Sequence, residues 1–124
     1  MFEKLELTRM AQSMAAHAGA RMGVIATNVA HADTPGYKAR DLADFGSVYA
    51  ESGTMRATRP GHAGQNSAIT ETVLAGKGSA SPNGNTVSLE MEMVKSAEAR
   101  QEHEMALAVY RATSGVIRTS LGRG

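Results

Sequence analysis

The sequence predicts a mainly α-helical protein. Two long terminal amphipathic helices pair as a coiled-coil-like hairpin, joined by an irregular middle segment with room for one short β-hairpin. Three observations predict it. The first thirty or so residues carry no proline and place apolar side chains at helical spacing. All three prolines and most of the thirteen glycines fall between residues 33 and 85. The remaining C-terminal stretch returns to helical spacing, with its charges segregated along its length. The implied division is an N-terminal helix in 1–32, an irregular segment in 33–85 and a C-terminal helix in 86–124.

In the first zone Leu7, Met10, Met14, Ala18, Met22, Ile25 and Val29 are three or four residues apart, which puts them on one helical face. Leu7, Ala18 and Val29 recur every eleven residues, a repeat that runs almost parallel to the axis of a straight helix. Such a helix would be roughly 40 Å long. Ala15, Gly19 and Gly23 form a second ridge of small residues. Each interior glycine costs about 1 kcal/mol relative to alanine. Close approach of another helix would justify that cost, and simple tolerance is the alternative. His17 and Arg21 lie among these residues and argue against a membrane-buried ridge.

The helix must stop at the sequence NVAHADTPGYKARD, residues 28–41. Pro35 disfavours helix at Thr34, and Thr34-Pro35-Gly36-Tyr37 suits a type II turn with glycine at the positive-φ position. Asn28 and Thr27 can hydrogen-bond the exiting chain, and Tyr37 can pack its ring on the helix end with its hydroxyl in water. By turn chemistry alone this is equally an ordinary helix stop. Beyond it the middle zone is loop-rich. AITETVLAG, residues 68–76, reads as a short strand or a turn of helix.

The last helix opens near Asn85 or Thr86, either of which can serve as the N-cap. Glu90 and Glu92 follow in the first turn, where the helix dipole favours acids. Val87, Met91, Val94, Met105, Ala108, Ala112 and Thr119 then fall on an a/d-type seam, which Glu98, Gln101 and Gly115 interrupt. A second lane of Leu107, Tyr110, Ser114, Ile117 and Leu121 runs beside it. Glutamates precede Met105, and Arg111, Arg118 and Arg123 follow it.

Composition excludes several functions. A net charge of +1 gives no basic field for nucleic acid. The chain has no cysteine, hence no disulfide, thiol or zinc-ribbon chemistry, and no apolar run long enough for a membrane span. The N-terminal residues lack a cleavable signal pattern, so export would use a route without one. His17, His31, His62 and His103 read as surface groups, because no carboxylate stands at the spacing that would converge with them on a metal. AGKGSAS, residues 75–81, lacks the first glycine and the hydroxyl residue of a phosphate loop. Neither an enzyme nor a cofactor site is expected. With only 4% aromatic residues, the terminal helices are too lean to stand alone, and their folding is expected to be linked to assembly.

The elbow carries a resemblance. NVAHADTPGY is similar to the N-terminal signature of the flagellar rod and hook axial family, N-[IL]-A-N-x-x-T-P-G-[YF]. Asn28, Ala30, Thr34, Pro35, Gly36 and Tyr37 occupy its positions, while Val29 and His31 depart from it. The continuation YKARD and the lead-in GNTVSLEMEM resemble proximal-rod members in particular. The resemblance implies a structural subunit whose terminal helices build the inner layer of a tube around an export channel and transmit torque. It also implies a periplasmic rod location in the basal body, reached through the flagellar type III export apparatus. The partners it implies are copies of itself, other rod proteins and the basal-body ring with its adaptor proteins. The competing expectation is a soluble helical-hairpin adaptor or export chaperone that binds one partner.

Overall fold

The computed structural model describes residues 2–55, 73–75 and 79–123. Helix α1 spans Phe2–Ala30, strand β1 Arg40–Leu42, helix α2 Phe45–Met55, strand β2 Val73–Ala75 and helix α3 Leu89–Arg118. A wide helical turn, Thr119–Arg123, follows α3 and contains Gly122 at φ +104°. The protein is mainly helical, with two long terminal helices, as the sequence predicts. Those helices pack side by side. Asn28 meets Glu92, Arg21 meets Glu98, and Ala11 shares a groove with Ala106 and Tyr110. Rising numbers on one helix therefore match falling numbers on the other, so the pair is antiparallel.

The seam is built from side chains seven residues apart, most of them small. On α1 it buries Ala11, Ala18 and Ile25. On α3 it buries Glu92, Ala99, Ala106 and Thr113. A seven-residue repeat is the geometry of left-handed coiled-coil pairing, and alanine at facing positions lets the axes approach closely. The eleven-residue reading of α1 is thereby corrected, since Leu7 and Val29 remain 40% and 45% exposed. Met10, Met14 and Met22 are half-buried beside the seam.

The predicted seam of α3 is out of phase with the observed one. Met91, Val94 and Met105 are each about half exposed, and Ala108 and Ala112 are exposed as well. Val87 is half-buried but precedes the helix. The sequence reading follows the largest apolar side chains, whereas the hairpin selects the lane whose small residues permit close contact. Leu107, Ser114 and Ile117 of the second lane are half-buried, and Leu107 lines the groove.

The N-cap of α3 is Ser88, whose Oγ accepts from the Met91 N–H at 3.4 Å, and not Asn85 or Thr86. The expected β pairing is present as an antiparallel ribbon with Arg40 opposite Ala75 and Leu42 opposite Val73. Residues 43–72 separate its strands, so it is no tight hairpin. Helix α2 lies within the segment expected to be irregular. Its two glycines weaken the sequence signal, but Asp44 offsets them by capping. The Asp44 carboxylate accepts from Gly46 N–H at 3.2 Å, and its carbonyl accepts from Val48 N–H at 3.1 Å. Val48 is buried and Phe45 tilts against His17, with ring centroids 5.6 Å apart. Most of the 68–76 stretch, part of 75–81, and His62 lie outside the described residues.

Candidate assembly site at the elbow

The elbow begins where α1 runs out. Tyr37 N–H returns to Thr34 O at 3.2 Å across Pro35 and Gly36, and Gly36 adopts φ +76°. Proline fixes the first central φ and glycine supplies the second, so the predicted type II turn follows from these two residues.

A second loop grips this turn from the far end of the chain. Gly84 N–H donates to Ser81 O at 2.8 Å, closing Pro82 and Asn83 into a turn, with Gly84 at φ +85°. The two glycines face each other: a Cβ on Gly84 would fall 3.4 Å from the Gly36 Cα. That proximity lets Gly36 N–H donate to Asn83 O at 3.0 Å.

Asn85 then terminates α1. Its side-chain Nδ2 lies 2.9, 2.9 and 2.8 Å from the carbonyls of His31, Ala32 and Thr34, in the turn that follows the last residue of the helix. Its Oδ1 accepts from Val87 N–H at 2.7 Å. Thr86 is equally engaged, donating its N–H to Tyr37 O at 3.0 Å and accepting from Ala39 N–H at 2.7 Å. Both residues expected to cap α3 therefore hold the elbow instead.

Asn28 anchors the other side and is fully buried. Its Oδ1 accepts from Tyr37 OH and from Arg40 N–H, each at 3.1 Å. Its Nδ2 donates to Arg40 O at 2.7 Å and to the Glu92 carboxylate at 3.2 Å. The Tyr37 hydroxyl is thus bonded to protein, a correction to the water-facing expectation. The Tyr37 ring stacks on His31 with centroids 4.7 Å apart, 9° from parallel. His31 donates from Nδ1 to Thr27 O at 2.9 Å, so this departure from the motif contributes an aromatic lid. Ala30, Thr34, Pro35 and Gly36 are exposed along the outer edge.

Beside Asn28 lies a network of charge. Arg21 Nε meets Asp41 at 3.1 Å, and its two terminal nitrogens reach Glu98 at 3.3 Å and Glu102 at 3.6 Å. Lys95 lies 3.5 Å from Glu92 and 3.9 Å from Asp41. Burial works against the charge on Arg21, but the hydrogen bond and charge of Asp41, then Glu102 and Glu98, hold its pKa above the ordinary arginine value.

Glu92, expected only as a first-turn acid favoured by the helix dipole, is 2% exposed. His17, expected at the surface, is also buried and donates from Nε2 to Ala43 O at 2.8 Å. Arg21, Asp41, Asn85, Glu92 and Lys95 carry the site and were not singled out as interface residues by the sequence. The one available signal is the interruption of apolar lanes by Arg21 and Glu92 at seam spacing.

Among the described residues, no three His, Asp or Glu side chains could hold a metal ion, and no helix is long and apolar enough to cross a membrane. What the fold and the elbow define is a helical-hairpin protein whose polar groups fix chain geometry and whose α3 carries several large apolar side chains facing outward. Curated relatives give that class a particular form. The chain is 37% identical over 103 residues to the flagellar basal body rod protein FlgB of Cereibacter sphaeroides, covering 78% of this chain and 80% of the relative. It is 28% identical over 111 residues to the flagellar basal body rod protein FlgB of Agrobacterium fabrum, covering 83% of each. No family model matches the chain. The chain belongs to the FlgB family of flagellar basal body rod proteins.

Proposed function

We propose that this protein is a non-enzymatic structural subunit of the proximal rod of the bacterial flagellar basal body. It packs with copies of itself and with other rod proteins into a tube around the export channel. Family membership supports the rod. The observation that supports packing through the terminal helices is the lane of Met91, Val94 and Met105 on α3, half exposed beside a hairpin that has already closed its own seam. Leu89 and Met93 are exposed beside Met91 and Val94, and an exposed apolar cluster of this kind supports a protein interface. In this reading residues 1–32 and 86–124 are axial staves, and 33–85 is the spacer that the elbow orients. Contacts with the ring and its adaptor, and passage through the type III export apparatus, belong to the same reading.

Replacing Met91, Val94 and Met105 by Ser tests it. The expected result is retained helix content by circular dichroism, with loss of polymer in sedimentation and loss of swimming in complemented cells. Normal rods in the triple variant would sink the proposal. An adaptor or export chaperone would instead purify as a helical monomer or dimer whose helix content does not depend on concentration.

A further inference from the structure

The α1–α3 seam is close to self-similar. Ala11, Ala18 and Ile25 face a lane of Ala99, Ala106 and Thr113, each series with a spacing of seven. A slip of one heptad, about 10 Å along the axis, sets Ala11 and Ala18 against small residues again, with Ile25 the exception. Apolar burial therefore discriminates poorly between registers.

The polar layer at the elbow end does not repeat. In the observed register Asn28 Nδ2 reaches the buried Glu92 carboxylate at 3.2 Å, and Lys95 stands 3.5 Å from the other Glu92 oxygen. Arg21 meets Glu98 and Glu102. A one-heptad slip in one direction puts Ala99 opposite Asn28, with Met105 and Val109 opposite Arg21. The reverse slip brings Met91 and Lys95 opposite Arg21, setting cation against cation. Both neighbouring registers thus strand a part-buried charge.

We propose that the buried Asn28–Glu92 hydrogen bond, flanked by Arg21, Asp41 and Lys95, is a register lock that selects one alignment of α1 against α3. The Asn28–Glu92 bond itself contributes specificity of pairing and little net stability, as single buried polar residues do in coiled coils, whereas the Asn28 bonds to Arg40 and Tyr37 hold the elbow. The lock also joins a third segment, because Asn28 binds the backbone of Arg40 and Asp41 binds Arg21. Helix register and elbow position are thereby set together. A slipped hairpin would carry the outer lane of α3 to the wrong height.

The chain lacks cysteine, so two introduced ones can be labelled cleanly. Ala26→Cys and Glu104→Cys lie at exposed positions offset along the hairpin, and nitroxides there report axial slip. Labelled full-length chain is diluted into unlabelled chain, at a concentration where the native protein is helical. Pulsed electron resonance then reads the intrachain distance. The native background and Glu92→Gln, which keeps an acceptor for Asn28, are expected to show one narrow distance. Asn28→Leu with Glu92→Leu is expected to keep its helix content and to show a second distance shifted by several ångströms. A single unchanged distance in the double Leu variant overturns the lock. Loss of helix in that variant overturns it too, because an element of specificity is replaceable by apolar packing. More than one distance in the native or Glu92→Gln protein overturns it as well.

Discussion

The side chain of Asn28 bonds both the N–H and the C=O of Arg40, at 3.1 and 2.7 Å, as the backbone of a neighbouring strand would. A side-chain amide is the only uncharged group with a donor and an acceptor spaced for this pairing. Asn28→Ala strands the Arg40 backbone groups, the Tyr37 hydroxyl and one Glu92 oxygen, and should cost on the order of 2–3 kcal/mol. Asn28→Asp should cost more, since it exchanges both donated bonds for a carboxylate beside Glu92. Urea unfolding followed by circular dichroism ranks the two variants, and the opposite order would contradict the assigned amide orientation.

The paired glycines make a second, separable prediction. Gly36 and Gly84 both sit at positive φ, so alanine at either should cost about 1–2 kcal/mol. Gly84→Val should cost more than Gly36→Val. At residue 84 the added Cβ meets Gly36 Cα at 3.4 Å and its nitrogen at 3.6 Å, whereas at residue 36 it meets nothing within 4 Å. Thermal unfolding of the four variants checks this ordering.

Gly19 and Gly23 should behave in the opposite way. Both are exposed within α1, and a Cβ on either meets nothing within 4 Å. The double Gly→Ala variant should therefore stabilise the hairpin by about 1–2 kcal/mol through helix propensity. If the bare ridge serves close contact between subunits, the same variant should assemble less well. Greater helicity with unchanged polymer yield would assign these glycines no role in packing.

Arg21 bridges three acids from two segments, yet Glu98 is more than half exposed. Arg21→Met should cost about 1 kcal/mol at low salt and less at high salt, as screening weakens the outer pairs. Arg21→Lys should restore less than half of that, because an ammonium group cannot fork between Asp41 and Glu98. The Arg21 pKa is raised in the fold, so its contribution is fully present below the free-arginine value and lost only in strong alkali. Arg21 itself should add no slope to stability near neutral pH. Unfolding curves across salt and pH measure all three statements.

Much of this fold is legible in residue order, but unevenly. The Pro35-Gly36 turn, the end of α1 and the two long helices follow from local chemistry that a short window contains. The phase of the α3 seam does not. Met91, Val94 and Met105 outweigh Ala99 and Ala106 in any hydropathy reading, and only a facing helix reveals that closeness favours alanine. Glu92 illustrates the same limit, because a first-turn acid ordinarily faces water and is buried here by Asn28, sixty-four residues earlier. Asn85 and Thr86 are expected to cap α3, a place that Ser88 takes instead. Their acceptors lie at the elbow, which no local pattern announces. Helix α2 was missed because its glycines obscure a cap that Asp44 supplies.

The position of Asn85 has a consequence for the order in which the chain acquires shape. Pro35 stops the first helix locally, but the group that caps its exit carbonyls is encoded more than fifty residues downstream of them. Bringing the two together closes a large loop, at an entropic cost on the order of 3–4 kcal/mol. Until that closure the C-terminal turn of α1 can fray, so a chain emerging N-terminus first keeps its leading helix uncapped until Asn85 has followed.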